Sequence, residues 1–351
     1  MVTAMLDRPS VVIAGRLDSW LVGWFAVAVW VLLRVAERYN IAIDGLGGPM
    51  YWFAITASAM HFGISYHLAY ADARHTVRSR PFALLVAPML LIIVLATTTA
   101  IALVSGADSR NGLTSALISS VYLLTMWHYI KQAYGIARLG AAYAKISLTA
   151  NEVRTLRYGV YPLWLMSVAR LLTRGRGFSF ARYRIGAEIL PSWVFDSLRV
   201  VSLASAIPLA VVFVKVARRN GGWPPSLMLA PYVAAFLWLG IPVGYASFGL
   251  LIAVFHAMQY LTCAHRAEIA VARTRHIQMN VTRWIEVFAE AACGGLLLTN
   301  WGPQVLTRAF TQGGGPLVFS AAFFVFLNLH HYMVDAVIWR SNGDLVRAMV
   351  A

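Results

Sequence analysis

The sequence predicts an all-α protein, a polytopic bundle of about ten transmembrane helices with both termini cytoplasmic. Three observations predict it. Hydrophobic residues make up 60% of the 351 and charged residues 12%, about half the charged share of a soluble domain, so too little polar surface is left to cover a water-soluble globule. Apolar runs of about 17 to 25 residues recur from end to end, each long enough to cross a hydrocarbon layer about 30 Å thick. The Lys and Arg residues, 29 against 14 Asp and Glu for a net charge of +15, gather between those runs. There they read as topology signals and lipid-headgroup contacts, with no nucleic acid as partner. A single integral membrane domain, 1–351, is expected, because no repeat, low-complexity tract or long hydrophilic insertion interrupts the pattern.

The first span, about 18–36, is Trp-rich and lacks a small-residue cleavage site, so it reads as a retained helix. Gly45, Gly47, Gly48 and Pro49 separate it from a second at about 50–71, and Pro81 opens a third at about 82–104. A fourth at about 113–136 and a fifth at about 156–173 flank a basic stretch holding Arg138, Lys145, Arg154 and Arg157. A sixth at about 197–217 stops before Gly221, Gly222, Pro224 and Pro225; the seventh to ninth follow at about 226–240, 244–263 and 281–300. Gly313 to Pro316 introduce a tenth at about 316–339.

Basic clusters follow the even-numbered spans: Arg74, Arg78 and Arg80; the four just named; Lys215, Arg218 and Arg219; Arg266, Arg273 and Arg275. With Arg8 and Arg16 before the first span and Arg340 and Arg347 after the last, the positive-inside rule places those loops and both termini in the cytoplasm, in what reads as a bacterial inner (plasma) membrane. One loop disagrees. Arg174, Arg176, Arg182 and Arg184 fall on the opposite side, so either that stretch lies in the interface as a basic amphipathic segment or one span is misplaced. Cys263 and Cys293 are far from any CxxC spacing, which excludes a disulfide framework or zinc knuckle.

Function is concentrated in the histidines. Of nine, His61, His128, His256, His330 and His331 fall inside spans, on the second, fourth, eighth and tenth, which run in one direction. Each lies past its span's midpoint, so the group is expected in the cytoplasmic half of the bundle. Each has polar company one helical turn away: Gln132 follows His128, Gln259 and Tyr260 follow His256, and Asp335 follows His331. Such neighbours can accept an imidazole N–H and set which nitrogen faces inward. His67 points about 120° away from His61 and is a candidate of lower rank. His75, His265 and His276 lie in or beside basic loops and read as solvated or headgroup residues.

On the ninth span Glu286 and Glu290 share a face, and burying two carboxylates against the bundle costs less than facing lipid. The alternative is pairing with Arg283 or Lys131. For any one histidine, the alternative is an ordinary interhelical hydrogen bond.

Imidazoles joined by carboxylates favour iron or manganese, and the poverty of cysteine disfavours an iron–sulfur cluster. The metal candidates are His61, His128, His256, His330, His331 and Asp335, around one or two non-haem irons. Glu286 or Glu290 is expected as a bridging carboxylate or proton route, and Tyr260 and Tyr332 as hydroxyl donors. The reading is a membrane oxidoreductase whose lipid-soluble small-molecule substrate arrives through the bilayer, with membrane lipids and a redox partner.

At the level of class these residues resemble the histidine-rich integral-membrane non-haem iron oxygenases: membrane fatty-acid desaturases and hydroxylases, and bacterial β-carotene dioxygenases. The resemblance implies an oxygenase, desaturase or hydroxylase. The HxxxH and HxxHH boxes of the desaturases are absent; the nearest stretch is Asn328-Leu329-His330-His331-Tyr332-Met333-Val334-Asp335. No ligand is therefore carried over. Three rivals stand beside this reading: haem held by two axial histidines, a proton-coupled transporter using intramembrane His, Asp and Glu, and an assembly role without a site.

Overall fold

The computed structural model describes residues 16–43, 46–70, 77–174, 178–180, 183–244, 249–310, 318–340 and 343–350. Arg8, Gly45, Arg74, His75, Arg176, Arg182 and Gly313 to Pro316 lie outside them.

The architecture is helical. In chain order the helices are α1 (Leu17–Arg38), α2 (Gly47–Tyr70), α3 (Phe82–Val104), α4 (Ala107–Tyr143), α5 (Ala150–Tyr158) and α6 (Tyr161–Leu172). After a short hairpin come α7 (Ser192–Ala204), α8 (Ala206–Asn220), α9 (Ser226–Gly240), α10 (Leu251–Thr274), α11 (Val281–Leu296), α12 (Gly302–Phe310), α13 (Val318–Ile338) and α14 (Asp344–Val350).

Among the described residues, five helical stretches are long and apolar enough to cross a membrane: Leu17–Arg38, Phe82–Val104, Asn111–Tyr143, Ser192–Asn220 and Val318–Ile338. Along α3 the side chains of Phe82, Leu85, Met89, Leu90, Ile93 and Val94 are exposed. An apolar face of that extent is stable against lipid and not against water, consistent with an integral membrane protein.

The fifth predicted span resolves differently. It divides at Gly159 into α5 and the 12-residue α6, with Pro162 in the first turn of α6. Twelve residues rise only about 18 Å, short of the hydrocarbon thickness. The eighth span also shifts: the sequence pattern stops at Cys263 because charges follow, yet α10 continues to Thr274. Its charges are paired inside the protein, Glu268 with His67 at 3.3 Å and Arg266 with the buried Asp18 at 3.8 Å, so the helix need not end where they begin.

The described part of the basic segment after α6 is a short hairpin. Phe178–Phe180 (β1) and Tyr183–Ile185 (β2) pair antiparallel. Ile185 is buried with Ile118, Leu171 and Ala321, which seats the hairpin on α4 and α13. Arg174 pairs with Glu188 at 3.7 Å.

Without water to drive apolar burial, membrane helices associate through small residues that let backbones approach. Beta-carbons built on Gly63 and Gly295 would fall on the carbonyls of Ala291 and Ala59 respectively. The paired numbers run in opposite order, so α2 and α11 are antiparallel and in backbone contact. Gly23 of α1 meets Ala230 of α9 in the same way.

At the end of α8, Arg219 bonds both carboxylate oxygens of Glu152 at 2.8 and 3.1 Å, while Glu152 closes a capping box with Thr149 at the start of α5. The guanidinium, followed by the Thr149 bonds, holds the Glu152 carboxyl below its ordinary value. A depressed folded-state pKa contributes stability above the unfolded value, which is lost as pH falls through the folded one. Acidification through and below pH about 4.3 is therefore expected to lower the melting temperature of the wild type more than that of Glu152→Gln, as thermal denaturation in detergent would show. Parallel curves for the two proteins would contradict it.

Candidate metal centre

Four helices carry the site: α2, α4, α10 and α13. They pack as a ring, α2 against α10 and α13, and α4 against the same two. Their contacts ascend together. His61, then His67, meets His256, then Glu268; His128, then Gln132, meets His256, then Gln259; Val121, then His128, meets Val325, then His331. The four helices are thus parallel, and side chains at one level face a common axis.

At that level stand His61, His128, His256 and His331, one from each helix. Their ring centroids follow the packing order: His256 to His61 4.8 Å, His61 to His331 4.4 Å, His331 to His128 4.9 Å and His128 to His256 4.9 Å. One nitrogen from each ring lies within 4.8 Å of the others. His61, His256 and His331 are buried.

Proton counting shows what the cluster wants. The Nε2 of His331 lies 2.8 Å from Nε2 of His61, 3.2 Å from Nε2 of His128 and 3.3 Å from Oδ2 of Asp335. Nε2 of a neutral imidazole carries either one N–H or one lone pair, so that nitrogen can make one of the three hydrogen bonds. The other two contacts bring polar atoms together without a bond between them, and a cation at the shared point would reconcile them. Metal–nitrogen bonds of about 2.0–2.1 Å place two ligand nitrogens on one ion roughly 3 to 4 Å apart, close to the spacing seen. The Nδ1 atoms of His61, His256 and His331 are buried without a hydrogen-bond partner among the described residues, so no protein group competes by turning these rings away. The donor set fits a metal ion.

Asp335 reinforces the centre from the Nε2 side: Oδ2 is 3.5 Å from Nε2 of His128 as well, and Oδ1 accepts a 2.9 Å hydrogen bond from Tyr260. Tyr260 in turn packs edge-on to His61, centroids 4.1 Å apart. Tyr260 thus reaches the site through Asp335 and not, as its spacing suggested, through His256.

The other expected residues go elsewhere. His330 points out of the cluster, with Nδ1 3.1 Å from the Tyr66 hydroxyl and Nε2 3.2 Å from that of Tyr70; adjacent helical residues diverge by about 100°. Gln132 donates to the His256 carbonyl and to Gln259 at 2.9 and 3.0 Å, so it ties α4 to α10 without orienting an imidazole. The Tyr332 hydroxyl is shared with Thr125 at 2.7 Å, while its ring stacks on His128.

Glu286 and Glu290 do not face the bundle interior. Their side chains are 52% and 61% exposed, Glu286 pairing with Arg283 at 3.2 Å and Glu290 with His67 at 3.5 Å. Paired with Arg283 and His67, they escape the cost of bare burial that argued for turning them inward. His256 sits near the start of α10, not beyond its midpoint, because α10 begins later and runs farther than the predicted span.

Tyr129, unremarked in the sequence, stacks on His256 with centroids 4.0 Å apart. Its place beside His128 was visible, but helical spacing alone would have sent it to another neighbour. His265, read as a headgroup residue, stacks on Trp284.

No protein-family model matches the sequence, and comparison with curated proteins and with solved structures gives no match either. The functional reading is carried by the geometry.

Proposed function

We propose that the protein is a membrane-embedded, metal-dependent oxidoreductase acting on a lipid-soluble substrate at the four-histidine centre. The observation that carries this reading is the convergence of imidazole nitrogens from four parallel helices to within 4.8 Å, with the Asp335 carboxylate beside two of them. Burying such groups in a membrane bundle is costly unless they are used.

His61, His128, His256 and His331 hold the metal, and Asp335 completes or neutralises the set. Iron, which with manganese suits imidazoles joined by a carboxylate, is the metal of this reading, and when bound it would supply one-electron chemistry toward dioxygen. Tyr260 positions the Asp335 carboxylate through its hydroxyl. The rings of Tyr129 and Tyr332, stacked on His256 and His128, wall the centre from water. A redox partner delivers electrons, and the bilayer delivers substrate. The basic clusters support a reading with both termini in the cytoplasm of a bacterial inner membrane.

The same spacing speaks against haem. Axial ligation puts two imidazole nitrogens about 4 Å apart, twice a metal–nitrogen bond, on opposite faces of a macrocycle. Here His61 and His331 approach to 2.8 Å and four rings form a closed circuit, leaving no plane for a porphyrin.

Elemental analysis and an absorption spectrum of the detergent-purified protein test the proposal together. The expected result is one or two equivalents of iron per chain with no Soret band. Metal content near zero, or a haem spectrum, would overturn it.

A further inference from the structure

Of the buried side-chain polar atoms that lack a hydrogen-bond partner among the described residues, three are Nδ1 atoms of the four-ring cluster and three belong to the Asp18–Arg266 pair. The remaining one is Nε1 of Trp339. Trp339 follows Asp335 by four residues, and its backbone N–H donates to the Asp335 carbonyl at 3.1 Å, so one unbroken turn puts the two side chains on the same face at the end of α13. The indole stands perpendicular to the Tyr260 ring, centroids 5.5 Å apart, and its N–H lies beside the Asp335 carboxyl and the Tyr260 hydroxyl.

Packing accounts for the ring and not for its nitrogen. The indole joins the apolar cluster of Ile64, Val334 and Ile338 to that of Val22, Ile136 and Cys263, a place that a carbocyclic ring fills as well. An indole N–H can only donate, and left bare inside a membrane bundle it loses its water without return. Tyr260 spends its proton on Oδ1 of Asp335, so the acceptors beside the indole are the Tyr260 oxygen and the carboxylate itself. Oδ2 of that carboxylate faces His128 and His331 at 3.5 and 3.3 Å. Donors behind a metal-binding carboxylate keep it ionised and fix which oxygen turns inward.

We propose that Trp339 is a positioning residue of the metal centre: with Tyr260 it forms a donor pair behind Asp335, and its N–H holds that carboxylate toward His128 and His331. The inference rests on the metal-dependent reading of the centre and adds to it the group that sets its carboxylate. Trp339 acts through Asp335, so its effect on metal binding exists only while that carboxylate is present.

Cobalt(II) binding to the full-length, metal-depleted protein in detergent is the test, followed by chelator competition and by the visible absorption of the ion. Trp339→Phe, and replacement of Trp339 by benzothienylalanine, which keeps the bicyclic shape with sulfur in place of the N–H, are each expected to weaken binding by about 10- to 100-fold and to shift the visible band. Combined with Asp335→Ala, neither should lower the affinity further, because the acceptor is gone. The melting temperature of each metal-free variant reports that it folds, and the benzothienylalanine protein carries the test if Trp339→Phe does not. Unchanged affinity in the benzothienylalanine protein, or equal losses with Asp335 present and absent, would overturn the assignment, as would a wild type that takes up no cobalt. Metal content as isolated separates the two claims: coupling to Asp335 in a protein isolated without iron sinks only the oxidoreductase, and an iron-loaded protein whose Trp339 variants bind as the wild type does sinks only the positioning role.

Discussion

His331→Ala is expected to strip the metal while His330→Ala, one residue away, leaves it bound. His331 is the hinge of the cluster: its Nε2 meets His61, His128 and Asp335 within 3.3 Å, more polar partners than the other three rings of the cluster show among the described residues. Replacing even an outer-shell partner costs about 10- to 100-fold in metal affinity, so loss of this imidazole should weaken binding by more than about 100-fold. Asp335→Asn keeps the shape but removes the charge, and should fall within about 10- to 100-fold. His330 spends both ring nitrogens on Tyr66 and Tyr70, so its loss should unsettle α2 against α13 without emptying the site. Competition titration against a chelator, on detergent-purified variants, gives all three affinities. Equal losses for His330→Ala and His331→Ala would mean that the four-ring cluster is not the binding unit.

The second large effect lies in packing, at two neighbouring glycines of opposite sign. Gly295→Ala drives a methyl group into the Ala59 carbonyl of α2, while Gly294→Ala meets nothing within 4 Å. The first can be accommodated only if α2 and α11 move apart. Overpacking of that kind costs about 1–3 kcal/mol or more, and a backbone obstacle that cannot rotate away belongs at the upper end. The second removes a flexible residue from a helix interior and should stabilise by about 0.5–1 kcal/mol. Gly63→Ala repeats the first case from the α2 side, against Ala291. Since His61 is two residues from Gly63, that variant should also weaken the metal site. Melting temperatures in one detergent should therefore rank Gly294→Ala above wild type and both Gly295→Ala and Gly63→Ala well below it. A neutral Gly295→Ala would show that the two helices are not in backbone contact.

The centre was half legible beforehand. Histidine on four co-directional spans, and Asp335 one turn after His331, marked the right helices because helical periodicity is local and any membrane-buried imidazole stands out against an apolar background. Local spacing went astray wherever a partner came from another helix. Tyr260 serves Asp335, not His256; Gln132 bridges to a carbonyl of α10; and of the adjacent pair, His331 turns inward while His330 turns to two tyrosines. Glu286 and Glu290 were placed by the general cost of an unpaired charge, but Arg283 and His67 supply pairs at the surface.

Composition and hydropathy by themselves determined that this chain folds as apolar helices suited to a membrane, because that follows from how much polar surface a chain of this length can present and from the length of its apolar runs. They also determined which helices carry imidazoles. Only the tertiary structure decided which nitrogens meet, since two residues on one helix differ by a fixed rotation while residues on different helices meet only as packing sets their rotation and depth. That packing is set by contacts as small as a glycine against a carbonyl, and no periodicity within one segment records them.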